Sequence, residues 1–281
     1  MRDLRRAALA LALLAGVALP ARAQTPDQPN LIFTVSGGFM SGGGRLWTVP
    51  RQLAFSQQNG TGNVWDTVSL GRKLASGFAA TLTATYFKWP HLGLSVEAGF
   101  FGLESVSSCH PIGSFNVTAD NENAQACGYI NGQNVRGDAV GLLGGIVYRV
   151  TSRGIQPYVR ASAGGAFLGS SFVEAASPVL VSGGGTSTVY FLSDENHKEL
   201  TWMVSLGAGL TVPLAPGYQL RMEARDLIVA LPYPTGPATD TAQIANASGL
   251  PNPPLGVKVV NVPTFMVGLD VVLERRRGRR Y

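Results

Sequence analysis

Beyond its first two dozen residues, the 281-residue sequence lacks any uninterrupted apolar run long enough to cross a bilayer as a helix. It has two cysteines, three histidines and 14% charged residues. Three histidines leave little material for a metal centre or a histidine-based catalytic triad. The excess of 22 basic over 17 acidic residues lies at the ends. Arg2, Arg5, Arg6 and Arg22 precede residue 24, and five arginines fall within 275–280. The stretch between is slightly acidic, which excludes the basic face a nucleic-acid partner requires. Helical Leu periodicity is absent after the leader, whereas 35 glycines punctuate the chain.

The ends read as separate from the fold. Residues 1–23 have a basic start, an apolar core and Ala21-Arg22-Ala23, and are expected to be a secretory signal peptide cut before Gln24. Residues 275–281, "RRRGRRY", are expected to be a basic periplasmic tail. Export implies an oxidising compartment, so Cys109 and Cys127 are expected to form a disulfide.

Between the ends, apolar alternation recurs eight times, at about 30–44, 67–88, 92–107, 137–151, 156–173, 198–214, 218–231 and 262–274. Most segments exceed a common soluble strand and reach the roughly 9–11 residues of a tilted membrane-crossing strand. Connections alternate in length. "WPH", "SRGI" and "APG" are short; about 49–66, 108–136, 174–197 and 232–261 are long and rich in Gly, Asn, Ser, Thr and Pro, hence expected to be flexible surface loops.

The partition of residues between strand faces decides the solvent. Leu200, Trp202, Val204 and Leu206 oppose Thr201, Met203, Ser205 and Gly207. Leu94, Val96 and Phe100 oppose Ser95, Glu97 and Gly99. A soluble barrel would enclose the bulky residues; here small and polar ones suit a narrow interior, and lipid suits the bulky face. The expected fold class is all-β, an eight-stranded antiparallel up-and-down transmembrane β-barrel over 24–274 with four long surface loops. Interfacial girdles are expected from Tyr86, Trp89, Tyr148, Tyr158 and Tyr218 near the short turns, and from Trp47, Phe101, Phe172 and Trp202 near the long loops.

This pattern resembles the small eight-stranded outer-membrane β-barrel proteins of the OmpA/OmpX-like type, barrel only. The last strand, "MVGLDVVL", looks like the C-terminal signal read by the barrel-assembly machinery, with Gly268, Val271 and Leu273 at its key positions. The resemblance implies the bacterial outer membrane, with long loops extracellular and both termini periplasmic. It implies contact with outer-membrane lipid, a monomer, no cofactor, and ligands engaging the loops.

In "YQLRMEARDLIV" the charges alternate with apolar residues. Parity sends Arg221, Glu223 and Arg225 into the lumen, together with Glu97, Arg160 and Asp270. Three acids then face three bases, and a salt-bridged plug with bidentate arginine forks is expected. Asp226 falls on the lipid-facing parity, where a bulge or the outer rim would explain it. His91, His110 and His197, the last near Ser193, Asp194 and Glu195, show no triad spacing and are expected to be solvated; no catalytic or metal residue is assigned. A structural or adhesive barrel is the leading reading. A narrow porin or small-solute transporter is the second, and a lipid-modifying enzyme the third.

Overall fold

The computed structural model describes residues 30–58, 62–113, 121–181, 184–194, 199–238 and 251–273. The leader 1–23, the tail 275–281, Glu195 and His197 lie outside them.

Eight strands close into one antiparallel barrel. In chain order they are β1 (Asn30–Met40), β4 (Gly77–Phe87), β5 (Leu92–Gly102), β8 (Asp138–Arg149), β9 (Gln156–Leu168), β12 (Leu200–Ala215), β13 (Tyr218–Pro234) and β14 (Leu255–Leu273). Each pairs with its neighbour in that order, and β1 seals against β14, Leu31 opposite Leu273. Closure leaves no strand of the wall with an unpaired edge where β1 meets β14. Three tight turns close one end, the last through Gly217 at φ 81°.

The alternation written in the sequence becomes inside and outside. Leu82, Leu94 and Leu142 are each more than 60% exposed on the outer wall. Thr83, Ser95 and Leu143, one position along, are buried. Glycines let the walls close around so narrow a lumen. A Cβ on Gly268 would sit 2.8 Å from the Val35 carbonyl oxygen and nearer still to Ser36 Oγ.

The described parts of the long connections hold strands and a helix, where their composition leads one to expect flexible loops. They build an ordered cap on the far end. One sheet has the order β2-β3-β6-β7: β2 (Arg45–Gln58), β3 (Gly62–Leu74), β6 (Ser105–Pro111) and β7 (Asn134–Val135). A hairpin joins β10 (Ala175–Val181) to β11 (Gly185–Leu192). A helix, α1 (Glu122–Ile130), is capped by Asn121, whose side chain accepts from the Ala124 amide at 3.1 Å. The segment 67–88, read as one strand, is two: β3 belongs to the cap and β4 to the wall, with the break at Ala75 and Ser76. Strands β13 and β14 also run longer than their alternation implied and rise into the cap. Lys258 Nζ on β14 reaches the carbonyls of Arg45 and Leu46 on β2, at 2.7 and 3.0 Å.

Candidate functional site: the filled lumen and its cap

Three layers fill the lumen. Nearest the tight turns, Ile32, Phe87, Val147, Tyr158 and Val272 form a small apolar cluster. Arg149, the last residue of β8, lies beside it over the Phe87 ring at 4.0 Å, donates to the Pro90 carbonyl, and reaches Gln156 Oε1 at 3.4 Å.

The middle layer is charged. Glu97 from β5 is 1% exposed and receives both Arg160 of β9 and Arg225 of β13, the latter from Nη1 to Oε1 at 2.8 Å. Thr83 donates to the same carboxylate at 3.1 Å. Arg221 grips Asp270 of β14 bidentately, Nε to Oδ1 at 2.9 Å and Nη2 to Oδ2 at 3.1 Å, and Thr34 adds a third bond at 2.7 Å. Glu223 accepts from the Tyr158 hydroxyl at 2.6 Å and lies 3.8 and 3.9 Å from Arg160 and Arg225. The structure therefore brings Glu97, Arg160, Arg221, Glu223, Arg225 and Asp270 together. Arg221 makes a fork; Arg225 instead shares one nitrogen between both oxygens of Glu97. Each charge faces an opposite one at short range, the condition under which burying ions is tolerable.

Above it the lumen turns apolar. Met40, Phe101, Leu143, Met203, Leu227 and Met266 are almost fully buried and belong to one cluster with Leu46, Trp47, Leu70, Phe172 and Phe191 of the cap. The upper barrel and the cap thus share a core. Three residues expected in an upper aromatic girdle are part of it: Trp47, whose indole donates to the Phe172 carbonyl at 2.8 Å, Phe101 and Phe172. Tyr158, expected in the lower girdle, points inward to Glu223. Tyr86, Trp89, Tyr148, Tyr218 and Trp202 do stand exposed on the outer wall and its rims.

Of the two explanations offered for Asp226, the bulge is absent. Strand β13 keeps its register there, Asp226 opposite Leu206 on one side and Pro263 on the other. It lies in an outer-wall concavity with Phe39, Leu206 and Phe265.

In the cap, Cys109 of β6 and Cys127 of α1 are joined by a disulfide. Asn123 Nδ2 donates to Asp66 Oδ2 at 2.9 Å, fastening the helix to β3. Gly268 faces the lumen side of β14, whereas Leu273 is half exposed at its end and Val271 is partly buried. His91 Nδ1 lies 2.9 Å from the Arg149 carbonyl, and His110 is exposed on β6. Among the described residues no group of three or more His, Cys, Asp or Glu is placed to hold a metal.

Sequence reasoning missed Arg149, Tyr158, Thr34 and Thr83 as lumen partners. All four share the inward parity of their strands, so the signal was present. It was overlooked for the threonines because they are uncharged, and for Tyr158 because its height suggested a girdle.

No protein-family model matches the chain, and no curated protein matches its sequence. Solved structures do match. The outer membrane protein OprG from Pseudomonas aeruginosa aligns at 12% identity and TM-score 0.46, over 90% of this chain and 100% of that one. Neisserial surface protein A aligns at 10% identity and TM-score 0.38, over 88% and 99%. Ail, the attachment invasion locus protein of Yersinia pestis, aligns at 12% identity and TM-score 0.32, over 86% and 99%.

Proposed function

We propose that this chain is a monomeric, non-catalytic outer-membrane barrel whose lumen is a structural plug and whose cap is a surface for adhesion or other extracellular contacts. The observation that carries this reading is the filling of the lumen along its height. An apolar cluster, a charge-balanced layer and an apolar stopper succeed one another, and the stopper continues into the cap core. A narrow porin needs a continuous polar path, and Phe101, Met203 and Met266 sit across it. The apolar exterior is suited to outer-membrane lipid as solvent, with the cap outside the cell and both termini periplasmic. Gly268, Val271 and Leu273 are assigned to recognition by the barrel-assembly machinery. No cofactor or nucleic acid has a part.

The test is single-channel recording of the refolded protein in a planar bilayer. A folded barrel that stays silent is the expected result. Steady conducting steps would replace the plug with a gated pathway and make Glu97, Arg160 and Arg225 its selectivity residues.

A further inference from the structure

The cap contains a cleft of about 250 Å3 between β3, the end of α1 and residues 170–176. Arg72 and Ser107 line it, and they are only 3% and 4% exposed. Gln133 stands exposed at its mouth, and Glu174 at its rim.

Arg72 is held in place without being neutralised. Its Nη1 donates to the Ser171 carbonyl at 3.3 Å and its Nη2 to the Glu174 carbonyl at 2.5 Å. Its guanidinium lies 5.5 Å from the centre of the Trp47 ring. These partners are dipoles and a ring quadrupole, not a counter-ion. Glu174 acts on it through space and is itself exposed. Burial lowers the guanidinium to about 10, so it stays charged at neutral pH. Two donors on the same wall, Arg72 Nε and the Ser107 hydroxyl, are buried without a protein partner. Ser171 and Ser170 have already committed their protons, to Asp194 and to the Arg136 carbonyl. Buried charge is ordinarily paired, and a buried donor left unmade is costly. A fixed cation with two spare donors beside a polar cleft is the arrangement that recognises an oxyanion.

We infer that this cleft binds a phosphate or sulfate group, with Arg72 as counter-charge, Ser107 as second donor and Glu174 as an opposing charge at the entrance. The site lies outside the lumen and stands or falls independently of whether the barrel conducts.

The test is titration calorimetry on the refolded protein in detergent, at constant ionic strength with chloride as background, using inorganic phosphate, sulfate and glycerol phosphate as probes. Saturable binding of one anion per chain is expected. Arg72→Met should abolish it, and Glu174→Gln should tighten it by about fivefold at low salt. Glycerol phosphate binding as well as phosphate would identify a group borne on a larger molecule, and its exclusion a free ion; both uphold the site. Wild type and Glu174→Gln both failing to bind any probe would overturn the inference, even if Arg72→Met does not fold. Binding that neither substitution changes would overturn it as well.

Discussion

Tyr158 and Glu223 meet across the lumen, the phenol donating to Oε2 at 2.6 Å from a strand two positions around the barrel wall. The bond ties the lower apolar cluster to the charged layer, because Tyr158 belongs to the first and Glu223 to the second. Arg221 also lies 5.0 Å from the centre of the Tyr158 ring. Tyr158→Phe keeps the ring and removes the donor. It should cost about 1.5–3 kcal/mol, the value of a hydrogen bond to a charged group. Equilibrium urea unfolding of the refolded barrel measures this, and a change within error would mean that Glu223 is satisfied without the phenol.

Glu97 is the hub of the charged layer, facing two arginines from two strands. Glu97→Ala leaves Arg160 and Arg225 only their longer contacts to Glu223 in a buried setting and should cost about 3–5 kcal/mol. Asp226, the acid on the outer wall, should respond with the opposite sign. Its removal in Asp226→Ala relieves a half-buried carboxylate with an unpartnered oxygen among apolar neighbours and should stabilise by up to about 1 kcal/mol. Unfolding both variants side by side checks the assignment of inside and outside, and destabilisation by Asp226→Ala would place that carboxylate in a stabilising contact.

The disulfide fastens α1 to β6, both in the cap. Cys109→Ser with Cys127→Ser releases a loop of 18 residues' separation and should lower cap stability by about 3 kcal/mol. The barrel wall contains neither cysteine. Proteolysis should therefore nick the cap of the double variant while the barrel keeps its heat-modifiable mobility on gels. Simultaneous loss of both would show that cap and barrel fold as one unit through their shared core.

Gly268 has a packing role at the barrel seam. Gly268→Ala places a methyl group against the Val35 carbonyl oxygen where β14 seals to β1. Overpacking of this kind costs about 1–3 kcal/mol. In vitro refolding into detergent, where no assembly machinery is present, should give a smaller folded fraction than wild type. Equal refolding would show that the wall accommodates a methyl group at that position.

Most of the barrel was legible because its information is local. A strand whose successive residues alternate between bulky and small declares two faces without reference to any other strand. Three short turns against long connections then order the strands around the wall. The same parity gathered Glu97, Arg160, Arg221, Glu223, Arg225 and Asp270 in one interior. Height along the strand was a weaker guide than parity: Phe101 and Tyr158 lie where girdles are expected, yet both occupy inward positions.

The cap was not legible, because its order depends on distant partners. Strand β3 pairs with β2, but also with β6, Leu70 opposite Cys109, and α1 is held by Asp66 and the disulfide rather than by its own periodicity. Polar, glycine-rich composition describes a segment by itself and is silent on such closures. The sequence by itself determined the eight walls, their outward and inward faces and the balance of interior charge. Only the tertiary structure decided which arginine meets which carboxylate, that the upper lumen is stoppered by the cap's core, and that Arg72 is buried without a counter-ion. Alternation is a property of one strand, whereas pairing, stoppering and burial are properties of several brought together.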